Sequence, residues 1–378
     1  MITVISGGED SLKLIKALRN LLYDSDISVI ADTSDAMWTQ GHLVCPNLDD
    51  IIYLFSGQLN KQNWTGIKGD TYSTFNFLER LNSNAITETV PDKDGDEGSA
   101  AQLSDNELAS GKPAESATGI CETVVSENAV CETASCKNAV CEPAGSEASE
   151  NPADNSGKNT QQSLKYDDLT NIYPIGDKQR AVCIARAMHL KNRLTITQST
   201  QILSKSFGVT ANILPATDSR ITAYAKFAGE MFSIADFRAI CKTDKTADYK
   251  AEIEMEFTKY PQITKEATSA INSGSAVIIG PGHISTISPI LACRPLRKLL
   301  KKSFTIAVLP RLPADYIPGR YIALDRLIET YKGFADILIQ DIKDEFCIPD
   351  ATRINTDTDS SYKAESLAWE IMSHIGSR

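Results

Sequence analysis

Carboxylates and glycines recur where short apolar runs of this chain end. Gly7 and Gly8 close the run "ITVIS", Asp32, Asp35, Asp49 and Asp50 fall within "ADTSDAMWTQGHLVCPNLDD" at 31–50, and Asp70 and Asp177 follow a glycine in "GIKGDT" and "PIGDK". A third loop, "IGPGHISTISPI" at 279–290, carries Gly280, Gly282, Ser285 and Thr286. Hard carboxylate oxygens suit magnesium, which neutralises a diphosphate. Glycine loops that open a helix offer backbone N–H groups to phosphate or ribose. Each feature also has a plainer use, because aspartates cap helices and a Gly-Pro-Gly stretch can be a simple turn. Glu9 and Asp10 stand where an anion in the first loop would rest. The loop therefore holds phosphate only if they turn away, with Asp10 capping a helix that begins near Ser11, or if magnesium sits between. Trp38 and Trp64, beside the acidic loops, could stack on a flat heterocycle or pack in the core. The histidines His42, His189, His283 and His374 show no metal-ligand spacing.

Loops of this kind need a scaffold of alternating strands and helices. The apolar pattern predicts strands at 2–6, 27–31, 210–214, 221–226, 275–279, 304–309 and 335–339. It predicts helices near 11–22, 48–58, 71–81, 178–190, 197–206, 264–272, 294–302, 320–331 and 362–374. Runs such as "SAVIIG" and "FTIAVLP" suit strands buried on both faces. The expected fold is α/β, a doubly wound and mostly parallel Rossmann-like sheet with its ligand crevice beyond the carboxyl ends of the strands. Residues 230–257 read as a small mixed excursion, a subdomain of the same unit. Residues 82–165 read as an acidic, low-complexity, disordered insertion in an otherwise single domain, because their composition cannot bury enough apolar surface.

The net charge of −11 resides almost wholly in that insertion, where residues 85–165 hold 15 acidic against 5 basic residues. The nearly neutral remainder argues against a nucleic-acid-binding face. No apolar run approaches the roughly 18 residues of a membrane span, and no secretory signal is visible, so a cytoplasmic location without membrane contact is expected. Cys121, Cys131, Cys136 and Cys141 lie in a degenerate repeat without zinc-site spacing. Cys45, Cys183, Cys241, Cys293 and Cys347 read as buried or idle thiols.

Several segments together resemble the 2-phospho-L-lactate transferase family: "SGG" with "LKLIKAL", "DTSDAMWTQGHLVCPNLDDIIYLFSGQLN", "WTGIKGDTY", "IGDK", "FGVTANILP" and "IIGPGHISTISPIL". The resemblance implies transfer of a phospholactyl group from lactyl-2-diphospho-5'-guanosine to the deazaflavin Fo, releasing GMP, with magnesium as the metal. It implies Asp35 and Asp49 as catalytic and metal-binding residues. Gly7, Gly8, Trp38, Asp49, Asp177, Lys178, Gly280, Gly282, Ser285 and Thr286 become the substrate contacts, and a homodimer stays open. The chain departs from the family at Glu9-Asp10, Ala36, Asn47, Pro174, Gln179 and Asp218-Ser219-Arg220. The alternative is therefore a catalytically impaired paralogue that binds a nucleotide or deazaflavin.

Overall fold

Apolar runs of four or five residues, each followed by a segment of helical period, fold here as alternating strands and helices. The computed structural model describes residues 1–88, 174–244 and 246–377. Along the chain run β1 (Ile2–Ser6), α1 (Glu9–Leu18), β2 (Ile27–Ala31), the hairpin β3 (Met37–Thr39) and β4 (His42–Val44), then α2 (Pro46–Phe55) and α3 (Ser73–Glu88). After the undescribed stretch come α4 (Asp177–Lys191), α5 (Ile196–Ser206), β5 (Asn212–Pro215), β6 (Ile221–Phe227), β7 (Glu230–Ser233), α6 (Ile234–Thr243), α7 (Ala247–Lys250) and β8 (Glu252–Phe257). The last part holds α8 (Lys265–Ser273), β9 (Ala276–Ile279), α9 (Ile284–Ala292), α10 (Leu296–Leu300), β10 (Thr305–Val308), α11 (Ile322–Lys332), β11 (Ile337–Asp341), β12 (Thr352–Ile354) and α12 (Ser361–Gly376).

Seven strands form one sheet in the order β12-β11-β10-β9-β1-β2-β5, and every neighbouring pair is parallel. All residues of β1, β2, β9 and β10 are buried, which is why their sequences are apolar without alternation. Helices α1, α2 and α12 cover one face, and α8, α9, α10 and α11 cover the other. Leu14, Ile15 and Leu18 of α1 are fully buried. Each such side chain contributes roughly 1.5–3 kcal/mol. From β1 the chain moves to β2 and β5 on one side and returns to β9 on the other. That reversal opens a crevice beyond the carboxyl ends of β1 and β9.

The doubly wound parallel sheet is thus as expected, with differences in its parts. The run at 221–226 is not in the main sheet. It is the centre of a three-stranded antiparallel sheet, β7-β6-β8, so the excursion begins before residue 230. Within it, "SIADFRAICKT" is helical because Ser233 accepts the Asp236 N–H at 3.1 Å and caps α6. Helix α9 lies where a loop was expected, since it carries Pro289 in its interior. The hairpin β3–β4 and the edge strand β12 are too short for periodicity to reveal. Helix α3 continues through residues 82–88, past the expected start of the insertion. The expected disorder otherwise concerns residues 89–165, which lie outside the described residues.

Candidate functional site

Two glycine loops meet at the carboxyl ends of β1 and β9. The Gly280 N–H donates to the Ile5 carbonyl at 3.0 Å and the His283 N–H to the Gly7 carbonyl at 3.1 Å. Ser11 Oγ accepts the Gly7 N–H at 2.8 Å and donates to the Pro281 carbonyl at 2.6 Å. A Cβ on Gly282 would collide with the Gly7 carbonyl, and one on Gly7 would lie 2.8 Å from Ile287 Cδ1. The floor of the crevice is therefore backbone. Gly8 precedes α1 with φ of 110°, and no side chain caps that helix. Asp10 is accordingly not its cap. It approaches Lys13 Nζ at 3.4 Å and accepts the Thr358 hydroxyl at 2.8 Å, while Glu9 pairs with the same lysine at 2.8 Å. Both acids are held along α1 by Lys13.

The start of α9 is served differently. Asp248 of α7 accepts the Ile284 N–H at 2.6 Å and the Ser285 N–H at 3.2 Å. Amides expected to be free for phosphate thus already hold an internal carboxylate, although Ser285 Oγ has no partner among the described residues. His283 Nδ1 lies 3.7 Å from Asp248. Burial opposes the charge on both, but their mutual attraction prevails, lowering the pKa of Asp248 and raising that of His283. Cys241 brings its sulfur within 4.8 Å of the ligand atoms of both. Burial pushes that thiol up to about 12, so it is not a ready thiolate.

The acidic loop and α2 place four buried carboxylates together with two arginines. Asp49 has no exposed surface, and both its oxygens face Arg186 of α4: NH1 donates to Oδ2 at 3.1 Å, and NH2 makes a short bond to Oδ1. Arg186 NH1 also donates to the Leu43 carbonyl at 3.2 Å. Burial works against the guanidinium charge, yet Asp49 offsets it and the Arg186 pKa rises. The second arginine, Arg238 of α6, donates to Asp35 Oδ2 at 3.0 Å, Asn47 Oδ1 at 3.3 Å and Thr286 Oγ1 at 3.2 Å. One guanidinium thereby gathers the acidic loop, α2 and α9. Asp35 Oδ1 and Asn47 Nδ2 are buried and without partners among the described residues. Asp32 accepts the Ser34 N–H and hydroxyl at 2.9 and 2.8 Å. Burial, then the Asp35 charge, pushes Asp32 up to about 7. Burial likewise pushes Asp50 up to about 7, against the Gly66 N–H that donates to it at 2.8 Å.

The donor set decides what could hold magnesium. Asp35 offers an unshared carboxylate oxygen beside a second carboxylate, which suits a hard cation. Asp49 does not fit, because a metal there would have to displace Arg186 from both oxygens.

Other expected site residues lie apart from this cluster or serve the scaffold. Asp177 accepts the Thr71 hydroxyl and the Ser73 and Thr74 N–H groups at 2.6, 3.0 and 2.9 Å, so it caps α3. Asp70 returns the service to α4, accepting the Lys178 and Gln179 N–H groups at 2.9 and 3.0 Å. Lys178 is exposed, and Trp38 is 45% exposed on β3. Trp64 is half-buried, with Lys13 Nζ 5.7 Å from its ring centre. Asp218 accepts the Thr197 N–H at 2.8 Å near the start of α5. A cavity of about 700 Å³ opens elsewhere, between β8, α9, α10 and α11, and is lined by Ser288, Arg294 and Arg326 rather than by the acidic loop.

Sequence reasoning missed Arg186, Arg238 and Asp248. Their signal was weak, since an arginine in an amphipathic helix ordinarily faces water, and their partners are far along the chain.

With this geometry in hand, comparison with known proteins is informative. Residues 2–313 match the family model of the 2-phospho-L-lactate transferase CofD. The 2-phospho-L-lactate transferase of Methanocorpusculum labreanum is 28% identical, the alignment covering 99% of both chains. That of Methanospirillum hungatei is also 28% identical, over 99% of this chain and 100% of its own. Among solved structures, protein BH3568 from Bacillus halodurans aligns with a TM-score of 0.44 at 11% identity, covering 97% of this chain and 89% of that one.

Proposed function

Because the chain belongs to the 2-phospho-L-lactate transferase family, we propose that it transfers the phospholactyl group of lactyl-2-diphospho-5'-guanosine to the deazaflavin Fo, in the biosynthesis of coenzyme F420. The ribityl hydroxyl of Fo attacks the phosphorus that carries the lactyl group, the bond from that phosphorus to the GMP oxygen breaks, and GMP leaves. Such a transfer asks mainly for positioning and charge neutralisation. The observation that carries the reading is the unshared, buried oxygen of Asp35 beside the glycine-floored crevice, on a carboxylate that Arg238 ties to Thr286.

Within this reading Asp35 faces the acceptor with Oδ1 free for the metal, and the hydroxyl proton leaves to water as the oxygen attacks. The neighbouring Asp32, with its pKa near neutrality, limits the negative charge of the pair. Arg238, about a quarter exposed, balances charge on the diphosphate. Gly8 leaves the backbone open to the donor, while Gly7, Gly280 and Gly282 let the two loops meet closely beneath it. Magnesium would be held by Asp35, and it supplies further neutralisation of the diphosphate. Asp49 becomes a positioning residue that fixes Arg186, and Trp38 a wall for the deazaflavin ring. Asp177 holds the start of α3, and Lys178 supplies an exposed positive charge nearby.

The test is incubation of the purified chain with Fo, magnesium and the guanosine donor, followed by mass detection of the phospholactyl product. Product at wild-type but not Asp35→Asn turnover is expected. The Asp248 carboxylate on the α9 amides favours a second reading, a binding protein without transfer. Tight Fo or GDP binding with no product would select it.

A further inference from the structure

Helix α4 directs two arginines at the β3–β4 hairpin, and among the described residues only one of them is bonded to a carboxylate. Arg186 holds Asp49. Arg180 is 6% exposed, and its NH1 donates to Gln40 Oε1 at 2.7 Å. Its Nε and NH2 have no partner among the described residues, and neither do Gln40 Nε2 and His42 Nε2. Neither nearby group that acts on Arg180 is bonded to its guanidinium. Asp177 favours the charge without bonding to it, its oxygens accepting instead from the start of α3, and Cys183, with its thiol pushed up to about 12 by burial, carries no charge. A buried guanidinium with idle N–H groups, bonded to no carboxylate among the described residues, is costly, and an anion on those groups would offset that cost.

The remaining atoms specify which anion. His42 Nδ1 lies 3.2 Å from the Gln40 carbonyl and must carry the proton to donate to it. That leaves Nε2 as a bare acceptor, and burial keeps the ring neutral by lowering its pKa. The set combines the Arg180 and Gln40 donors with one acceptor. A carboxylate at neutral pH has no proton to give that acceptor, whereas inorganic phosphate keeps a P–OH group.

We propose that Arg180, Gln40 and His42 form a binding site for a phosphate group that retains one proton, its oxygens accepting from Arg180 and Gln40 and its P–OH donating to His42 Nε2. The site stands on α4 and the hairpin and does not depend on the transfer reaction. Its occupant is inorganic phosphate, because a phosphate monoester at neutral pH is mostly the dianion, without a P–OH group.

The experiment is the thermal unfolding midpoint of the full chain in inorganic phosphate, against sulfate at matched ionic strength to remove the general salt effect. Phosphate is expected to raise the midpoint over sulfate by about 2 °C or more. Arg180→Leu should abolish that increment while leaving the ligand-free midpoint at or above wild type, because it deletes an unpaired buried charge. Arg180→Gln should lose the increment with the hydrogen bond to Gln40 kept, and it serves if the leucine variant fails to fold. No increment with phosphate, or one that survives both substitutions, would overturn the proposal. So would a lowered ligand-free midpoint in Arg180→Gln.

Discussion

Asp49–Arg186 and Asp35–Arg238 are both buried ion pairs to a distant helix, one from α2 and one from the loop after β2, yet they are finished to different degrees. In the first, neither side chain has exposed surface and both carboxylate oxygens are taken. In the second, Arg238 is about a quarter exposed and Asp35 keeps one oxygen unshared. The first pair fixes α4 against α2 and leaves no carboxylate oxygen for a ligand, its one idle atom among the described residues being the donor Arg186 Nε. An unfinished pair spends stability to keep an atom available. An unsatisfied buried polar group costs about 1–3 kcal/mol, which a bound proton donor or cation would recover.

The sharpest way to break this comparison is Asp49→Asn. It leaves the Arg186 charge buried and unpaired, and a loss of about 3–5 kcal/mol is expected in urea unfolding. A loss under 1 kcal/mol would mean that the first pair is no more sealed than the second. Asp35→Asn should do the reverse, lowering turnover by about 100-fold or more while costing less stability, because Arg238 still reaches water. Product assays and unfolding of the same sample check both halves.

The carboxylates beside the second pair predict a pH effect of definite sign. Asp32 is raised from 3.8 to about 7 in the folded chain, so between those values the folded state binds more protons than the unfolded one. Its contribution to stability is full below about pH 4 and is lost as pH rises through 7, with a slope of up to about 1.4 kcal/mol per pH unit. Asp32→Asn should flatten the urea midpoint across that window. An unaltered slope would assign the titration elsewhere, with Asp50 the next group to substitute. The smallest effect belongs to the exposed pair on α1. Glu9→Gln removes one helix-surface contact to Lys13 and should change stability by no more than about 0.5 kcal/mol.

How much of this was legible in the sequence follows from the range of each interaction. The parallel sheet announced itself because β1, β2, β9 and β10 are buried on both faces and so are continuously apolar. The glycine loops were legible because a turn between strand and helix leaves a local mark. Arg186 and Arg238 were not, since their carboxylates lie 137 and 203 positions away. Asp248 was equally silent, sitting in a four-residue helix of an excursion whose start was itself misplaced. Asp177 was visible but misread. The Gly-Asp spacing is the same for a ligand contact and a helix cap, and only the neighbours of its oxygens distinguish them.

The mutual capping of α3 and α4 has a consequence for how this chain can change over generations. Thr71 and Asp177 are joined by a 2.6 Å hydrogen bond although 106 positions separate them. With Asp70 bonded back to Lys178 and Gln179, the starts of α3 and α4 are tied at one knot. Each aspartate caps the helix whose start lies beside the other, so losing either cap loosens the crossing that holds both. Asp70 and Asp177 are therefore expected to be kept or replaced together as the chain diverges.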